Sequence, residues 1–265
     1  MEWREGDIDI GGCRIHYYRR GTGRPLVLAH GASDNGRCWE RFARAVEDQY
    51  EVVAYDARYH GRSGAPEGGS LGGGEDLVGL VEGLALARPA VAGHSMGAMS
   101  VAEAAGSRPE LFRCAVLEDP PWRDSFPANR EPPVDTSGYS YEQMLEYGRS
   151  IAPSWHPDEF PAWAESKLQF RPPADWRASF GKRLRNWRET AAAIGVPALL
   201  VTGGNEAAGA IVTAEVAAEA RRLNPRIEVV RFESAGHNVR RETFEPFVAA
   251  VSAFLARHDR GDGGR

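Results

Sequence analysis

Residues 90–107, which read AVAGHSMGAMSVAEAAGS, decide how this chain folds. The apolar residues before Gly93 predict a buried strand, and the alanine-rich residues 96–107 predict a helix. Ser95 lies at the sharp turn between them. A serine at such a turn projects its hydroxyl above the sheet, and glycines two residues away on either side, Gly93 and Gly97, relieve the crowding. The stretch therefore predicts a nucleophile elbow with Ser95 as the nucleophile.

Strand-like and helix-like segments alternate on both sides of this turn. Apolar runs suited to a sheet buried on both faces occur at Leu26–Ala29, Val52–Tyr55, Ala90–Ala92, Cys114–Leu117, Ala198–Val201 and Ile227–Phe232. Helix-compatible segments occur at Cys38–Glu47, Asp76–Ala87, Met96–Ser107, Ala214–Leu223 and Thr243–Arg257. This alternation predicts an α/β fold, with a mostly parallel sheet and helices on both of its faces.

Two segments depart from the alternation. Residues 7–19 alternate in polarity around two consecutive glycines, which predicts an antiparallel hairpin at the sheet edge. Residues 122–187 carry no buried-strand signal but hold 12 of the chain's 25 aromatic residues, and they predict an inserted helical cap. We therefore expect an α/β core formed by residues 1–121 and 188–265, with residues 122–187 as the cap.

Composition and charge exclude several classes of function. The 32 basic and 37 acidic residues give a formal charge of −5, so the chain offers no basic stripe for nucleic acid or an anionic membrane surface. The polar first residues do not form a secretion signal, and no run approaches the ~20 apolar residues of a membrane span, so we expect a cytoplasmic protein. The three cysteines lack paired spacing, and no metal-binding or dinucleotide-binding motif occurs. We expect no metal and no cofactor.

A second chemical signal follows the strand candidate at residues 26–29. Residues 30–33 read HGAS. A tetrahedral acyl intermediate places negative charge on oxygen, and two preorganised backbone N–H groups can stabilise that charge. One comes from the residue after the nucleophile and the other from a loop of this kind. We expect Met96 and Ala32 to donate to the oxyanion, with Gly31 as a substitute for Ala32.

His237 is the candidate general base. It lies after the last strand candidate and before the C-terminal helix, in the segment SAGHN at residues 234–238. Imidazole titrates near neutral pH, so it can take the serine proton during attack and return it to the leaving group. His94 adjoins the nucleophile, and we expect its side chain to point away from the base.

Together these motifs resemble the α/β-hydrolase fold superfamily. The resemblance rests on the HG pair at residues 30–31, the segment DARYHGRS at residues 56–63, the elbow, and the GH pair at residues 236–237. It extends over nearly the whole chain. The resemblance implies an eight-stranded, mostly parallel sheet, a lid inserted after strand six and a Ser-acid-His triad.

The resemblance leaves two candidates for the acid of the triad. The family usually carries an aspartate after strand seven, where this chain has Glu206. Some haloalkane dehalogenases and the zearalenone-lactonase-like hydrolases carry the acid after strand six, where this chain has Asp119. Both residues stay candidates at this point. Strand alternation directs Glu118 to the opposite face from Asp119.

The cap indicates what kind of substrate the site accepts. Its aromatic residues are suited to line an apolar pocket, and Trp122 follows the exit of strand six closely. They include Trp122, Phe126, Trp155, Phe160, Trp163, Phe170, Trp176, Phe180 and Trp187. We expect a serine hydrolase that cleaves a small or medium apolar carboxylic ester or lactone through an acyl-enzyme.

Other functions are compatible with the same motifs. Carbon–carbon bond hydrolases of aromatic degradation and the pyruvate-eliminating lyase of menaquinone synthesis use the same serine and histidine, and they need cap groups that recognise an anion. Arginines of the cap that are candidates for this include Arg123, Arg130, Arg149, Arg171 and Arg177. A non-catalytic ligand receptor built on this scaffold is a third hypothesis.

Overall fold

Eight strands form one sheet at the centre of the computed structural model, which describes residues 1–67, 69–124, 136–174, 176, 181 and 186–259. The strands are β1 (Arg4–Ile10), β2 (Cys13–Arg20), β3 (Arg24–Ala29), β4 (Tyr50–Tyr55), β5 (Ala90–His94), β6 (Ala115–Glu118), β7 (Ala198–Gly203) and β8 (Ile227–Phe232). Their order across the sheet is β1-β2-β4-β3-β5-β6-β7-β8. Every strand candidate in the sequence lies within one of these strands or overlaps it.

Antiparallel pairing occurs at one edge of this sheet. β1 pairs with β2, and β2 with β4, in antiparallel register, whereas the pairs from β4 through β3 to β8 are parallel. The consecutive β3 residues Leu26, Val27 and Leu28 are all fully buried and alternate between two hydrophobic clusters. Both faces of the sheet are therefore covered, as parallel strands require. The expected α/β fold with an eight-stranded, mostly parallel sheet is confirmed.

Helices lie between the strands as the sequence predicts, with some ends shifted. The described helices are α1 (Glu40–Val46), α2 (Gly74–Gly83), α3 (Met96–Ser107), α4 (Tyr141–Ile151), α5 (Phe160–Gln169), α6 (Trp187–Ala193), α7 (Ala214–Leu223), α8 (Val239–Glu242) and α9 (Phe244–Asp259). α2 ends before the predicted Ala87 because Ala85 has a φ angle of 51°, outside the helical region. No helix within these ranges combines the length and the apolarity needed to cross a bilayer.

β1 and β2 form the edge hairpin that the sequence predicts. The two turn residues, Gly11 and Gly12, have φ angles of 58° and 75°, the pair of positive angles that a type I′ turn requires. The Asp9 carboxylate accepts a hydrogen bond from the Gly12 N–H at 3.0 Å. Glycine suits these positions because it has no Cβ to clash at positive φ.

The described residues between β6 and β7 form helices, turns and loops, and none of them is a strand. α4 and α5 pack around a hydrophobic cluster of Met144, Trp163 and Ala164, separate from the clusters on the two faces of the sheet. We call residues 122–187 the cap segment. Its bounds stay a prediction.

We expect Gly12→Ala to lower the free energy of unfolding by about 1–2 kcal/mol, because a residue with a Cβ is strained at a φ of 75°. No described atom lies within 4 Å of the added Cβ, so the loss would report backbone strain alone. The control is Gly138→Ala, where the added Cβ also meets no described atom within 4 Å and φ is not in the left-handed region. Urea denaturation measures both variants, and equal losses would contradict this account.

Candidate active site

Ser95 lies at the turn between β5 and α3, with φ 51° and ψ −115°. Positive φ is strained for a residue with a side chain and persists only where the surroundings hold it. A Cβ on Gly93 would overlap the Gly97 backbone, and a Cβ on Gly97 would overlap the Ala29 carbonyl group. The Ser95 N–H donates to the Glu118 carbonyl oxygen at 2.9 Å. The geometry of a nucleophile elbow is therefore present.

Asp119 lies directly after β6, and its side chain is fully buried. Its Oδ2 atom is 2.6 Å from Nδ1 of His237 and accepts the Ile211 N–H at 2.9 Å. Its Oδ1 atom accepts the Val212 N–H at 3.0 Å. An ionised carboxylate is costly to bury unless it is hydrogen-bonded, and these three donors supply the compensation.

The contact with Asp119 fixes the tautomer of His237. A carboxylate only accepts hydrogen bonds, so Nδ1 of His237 carries the proton, and Nε2 of the neutral ring keeps its lone pair. This is the state that a general base requires. Among the described residues, no group of three or more histidine, cysteine or acidic side chains is arranged to hold a metal ion.

The other carboxylates near strand ends have different surroundings. Glu206 is exposed, in the 3₁₀ turn Glu206–Ala208 that follows β7. The loop after β7 instead supplies two backbone donors to Asp119. Glu118 accepts hydrogen bonds from the backbone N–H of Arg240 at 2.8 Å and from its guanidinium at 3.0 Å. The structure therefore favours Asp119 over Glu206 as the acid that holds His237.

The expectation that His94 points away from the base is wrong. Its ring centroid lies 4.7 Å from that of His237, and its Nε2–H donates to the His237 backbone carbonyl oxygen at 3.0 Å. A Cβ on Gly31 would come within 2.7 Å of Nδ1 of His94, so this ring fills the space between the base and the loop after β3. The local sequence could not indicate this, because the contact is made with a loop 143 residues away.

The loop after β3 lies beside the nucleophile. A Cβ on Gly31 would approach the Cβ of Ser95 to 3.5 Å. Met96 is the first residue of α3, where N–H groups have no acceptor within the helix. Ala32 packs against the hydrophobic cluster that contains Met96. The residues predicted to form the oxyanion hole are thus brought together, and their catalytic role stays a prediction.

Two aromatic residues of the cap segment reach this side of the site. Phe170 and Trp176 pack against a hydrophobic cluster formed by Tyr59, Leu71 and Met96. Their own rings contact each other edge to face at 5.6 Å. Apolar surface therefore borders the predicted oxyanion donor Met96.

Other aromatic residues of the cap segment pack within the protein. Trp122 is 1% exposed, and its ring stacks on that of Trp187 at 5.8 Å in the core. Trp155 contacts both Phe160 and Trp163. The substrate contact of Trp122 stays a prediction. Two aromatic residues of the cap segment lie outside the described residues: Phe126 and Phe180.

The described arginines of the cap segment differ in their surroundings. The Arg171 guanidinium donates to the carbonyl oxygens of Gly61 and Ser63 at 3.1 and 2.9 Å. Arg123 donates to a carbonyl oxygen in the loop after β7 at 3.4 Å, and Arg149 is exposed. The contacts of Arg171 and Arg123 attach the cap segment to the core. Of the arginines considered for anion recognition, Arg130 and Arg177 lie outside the described residues.

Sequence reasoning missed a buried ion-pair cluster next to the loop after β3. Oδ1 of Asp34 is 2.6 Å from Nζ of Lys167, and its Oδ2 is 3.1 Å from Nη2 of Arg241. Arg241 also contacts Glu159 at 3.3 Å. Burial opposes ionisation of Asp34, but Arg241 and Lys167 outweigh it and hold the pKa of Asp34 well below its ordinary value. One sequence feature could have pointed to this cluster: Asp34 follows the predicted oxyanion donor Ala32 by only two residues.

Burial, reinforced by His237, lowers the pKa of His94 well below its ordinary value of 6.5. The unfolded chain therefore binds a proton at this residue below pH 6.5 while the folded protein does not, and stability falls as pH decreases. We expect His94→Gln, whose amide Nε2 can still donate to His237, to reduce the slope of unfolding free energy against pH by about 1.4 kcal/mol per unit between pH 5 and 6. Urea denaturation measures this slope. An unchanged slope would mean that folded His94 is protonated.

Two relatives that match this chain over nearly its full length are hydrolytic enzymes by name. It is 27% identical to 2-(acetamidomethylene)succinate hydrolase of Mesorhizobium japonicum, over 94% of each chain. It is also 27% identical to N-formylmaleamate deformylase of Pseudomonas putida, over 94% of this chain and 96% of that relative. The crystal structure of E-2-(acetamidomethylene)succinate hydrolase has a TM-score of 0.78 at 24% identity, covering 96% of this chain and 100% of that chain.

The model of the alpha/beta hydrolase family matches residues 26–250. This match includes the elbow at Ser95, the buried Asp119 and His237. It agrees with the strand order and with the hydrolase names of the relatives, and it confirms the expected fold and the expectation of an enzyme. The chain belongs to the alpha/beta hydrolase family.

Proposed function

We propose that this protein is a serine hydrolase that cleaves a carboxylic ester or lactone of a small molecule through an acyl-enzyme. The observation that supports it most directly is the 2.6 Å contact between Nδ1 of His237 and the buried Asp119. His237 packs on His94, the residue before the strained elbow at Ser95. A histidine held by a buried acid near a serine at an elbow is suited to activate the serine hydroxyl for acyl transfer.

Acylation begins at Ser95. Its Oγ attacks the carbonyl carbon while the hydroxyl proton moves to Nε2 of His237. Asp119 stabilises the imidazolium through Nδ1–H, and the N–H groups of Ile211 and Val212 also donate to its carboxylate. The intermediate then collapses, the C–O bond to the leaving alcohol breaks, and His237 gives the proton to that oxygen.

The carbonyl oxygen carries negative charge in the tetrahedral intermediate. We assign the backbone N–H groups of Ala32 and Met96 as its donors, with Gly31 as the substitute for Ala32. α3 begins at Met96, so the helix dipole adds a field that favours negative charge at this point. Removing one donor of this kind typically lowers kcat by about 10²–10³-fold.

Water completes the reaction. His237 takes a proton from water as the water oxygen attacks the acyl carbon, and the acyl bond to Ser95 breaks. His237 returns the proton to the serine oxygen. An ester yields an acid and an alcohol, and a lactone yields both groups in one molecule.

An apolar substrate fits the surroundings of the proposed oxyanion hole. Tyr59, Leu71 and Met96 form a hydrophobic cluster there, and Phe170 and Trp176 of the cap segment pack on it. Burying apolar surface contributes about 25 cal/mol per Å². We therefore propose a substrate whose acyl or alcohol part is small or medium-sized and apolar.

An N-acyl bond is the second candidate, and the names of the two relatives favour it. One relative is named for an acetamido compound, and the other for deformylation of N-formylmaleamate. The same serine, histidine and backbone donors serve amide cleavage, with nitrogen in place of oxygen as the leaving atom. Carbon–carbon bond hydrolysis, pyruvate elimination and ligand binding without turnover stay alternatives to both of these reactions.

We expect the protein to hydrolyse members of a panel that contains p-nitrophenyl acetate, p-nitrophenyl butyrate and a γ-lactone. Ser95→Ala and His237→Ala should each lower kcat by about 10⁴-fold or more, because nucleophile and base act as one unit. Circular dichroism checks that both variants fold. Ser107→Ala, a serine change at the far end of α3, is the control and should keep wild-type kcat.

The panel also contains an N-acetyl and an N-formyl amide. If the protein hydrolyses only these amides and none of the esters, the bond it cleaves is an N-acyl bond and not an ester bond. Wild-type kcat in the Ser95→Ala protein would contradict the proposed mechanism. Ligand binding with no turnover would support the receptor hypothesis.

The acid of the proposed triad is tested by two substitutions that keep size and remove charge. Asp119→Asn should lower kcat by roughly 10³–10⁴-fold, because an amide no longer holds His237 in the required tautomer. Glu206→Gln should stay within about twofold of wild type, because Glu206 is exposed. Steady-state kinetics give kcat for both variants, with each rate divided by the concentration of folded protein. A larger loss in Glu206→Gln would assign the acid to Glu206.

A further inference from the structure

Ser33, the residue after the proposed oxyanion donor Ala32, has a φ angle of 60°. This left-handed conformation is strained for a residue with a side chain, so it needs contacts that hold it. The Ser33 N–H donates to Nε2 of His60 at 3.1 Å, and the Ser33 carbonyl oxygen accepts from Nζ of Lys167 at 3.0 Å. Both backbone polar groups of the strained residue are therefore held.

Lys167 lies on α5 of the cap segment, 134 residues from Ser33 in the chain. An ammonium group has three hydrogens to donate. Nζ of Lys167 has three oxygen acceptors within reach, the Ser33 carbonyl at 3.0 Å, the Ser33 hydroxyl at 3.1 Å and the Asp34 carboxylate at 2.6 Å. All three belong to two consecutive residues, so the lysine fixes the path of the chain directly after Ala32.

His60 holds Ser33 from the other side. Burial lowers the pKa of His60 well below its ordinary value, and its Nδ1–H donates to the Arg58 carbonyl oxygen at 2.8 Å. Its Nε2 is therefore free to accept the Ser33 N–H. Phe170 of the cap segment stacks on the His60 ring at 4.5 Å. The cap segment thus supplies one of the two groups that hold Ser33, Lys167, and contacts the other, His60.

Asp34 also connects Lys167 to the loop that carries His237. Arg241 donates to Oδ2 of Asp34 at 3.1 Å and to the side-chain oxygen of Asn238 at 3.0 Å. Asn238 is the residue after His237. One buried carboxylate therefore connects Lys167 with the loop that carries the proposed base.

We propose that Lys167 is a positioning residue for the oxyanion hole, whose ammonium group holds Ser33 in its left-handed conformation and so directs the Ala32 N–H toward the substrate carbonyl oxygen. This inference rests on the proposed function. Lys167 acts through Ser33 and Asp34, so its loss weakens binding of the transition state and leaves ground-state binding intact.

The test compares Lys167→Met and Lys167→Arg in the full chain, with p-nitrophenyl acetate as the substrate. Methionine keeps an unbranched apolar stem and has no donor, and it should lower kcat by about ten- to hundredfold with KM within about threefold of wild type. Arginine keeps the charge and several donors and should restore part of kcat. The control is Arg188→Met, which removes a cation paired with Asp124 and Glu219 and should keep wild-type kcat.

A raised KM with wild-type kcat in Lys167→Met would overturn the inference, because it would place Lys167 in contact with the substrate. Unchanged kcat and KM would overturn it as well. If Lys167→Met does not fold, Lys167→Arg decides: a reduced kcat at constant KM supports the inference, and wild-type constants overturn it. If neither variant folds, Lys167 is needed for folding and the inference of a positioning role is overturned.

Failure of the proposed function is distinguishable from failure of this inference. If the wild-type protein binds the substrate but hydrolyses no ester, the proposed function and the inference on Lys167 are both overturned. If the wild-type protein is active and the Lys167 variants match it, the inference on Lys167 alone is overturned.

Discussion

The candidate active site depends on a carboxylate that is removed from water. Asp119 is 0% exposed at the end of β6, where an isolated ionised group would be strongly disfavoured. Two N–H groups of the loop after β7 and the imidazole of His237 donate to it. These donors meet because adjacent parallel strands end at the same edge of the sheet, and β6, β7 and β8 are neighbours. The order of the strands therefore determines which acid can hold the base.

The cap segment contacts the loop after β3 as well as the apolar cluster beside it. Phe170 stacks on His60, and Lys167 pairs with Asp34, next to the loop that we propose for the oxyanion hole. A largely buried ion pair such as this one gives little net stability, because the cost of desolvation offsets the attraction. Positioning of the strained Ser33 accounts for this pair better than stability does. A cap that both covers the substrate and holds the oxyanion loop would make catalysis sensitive to its packing.

Local sequence was sufficient for most of the fold and for the elbow at Ser95, since a buried strand, a sharp turn and an alanine-rich helix are all encoded within residues 90–107. It could not choose between Asp119 and Glu206, because the choice depends on which backbone donors and which histidine surround each carboxylate. The predicted orientation of the His94 side chain was wrong for the same reason, because its hydrogen-bond partner lies in a distant loop. The contacts of Lys167 with Ser33 and Asp34 could not be predicted from the local sequence, because a single lysine on a helix is usually exposed to solvent.

The proposed function requires that Ser95 is an activated nucleophile. Intact mass measurement after exposure to a fluorophosphonate, with peptide mapping of the product, shows whether Ser95 reacts. We expect a single adduct on Ser95 and none in the Ser95→Ala protein, because only a serine with a working base reacts at an appreciable rate. An adduct on a different serine, or equal labelling of the Ser95→Ala protein, would contradict it.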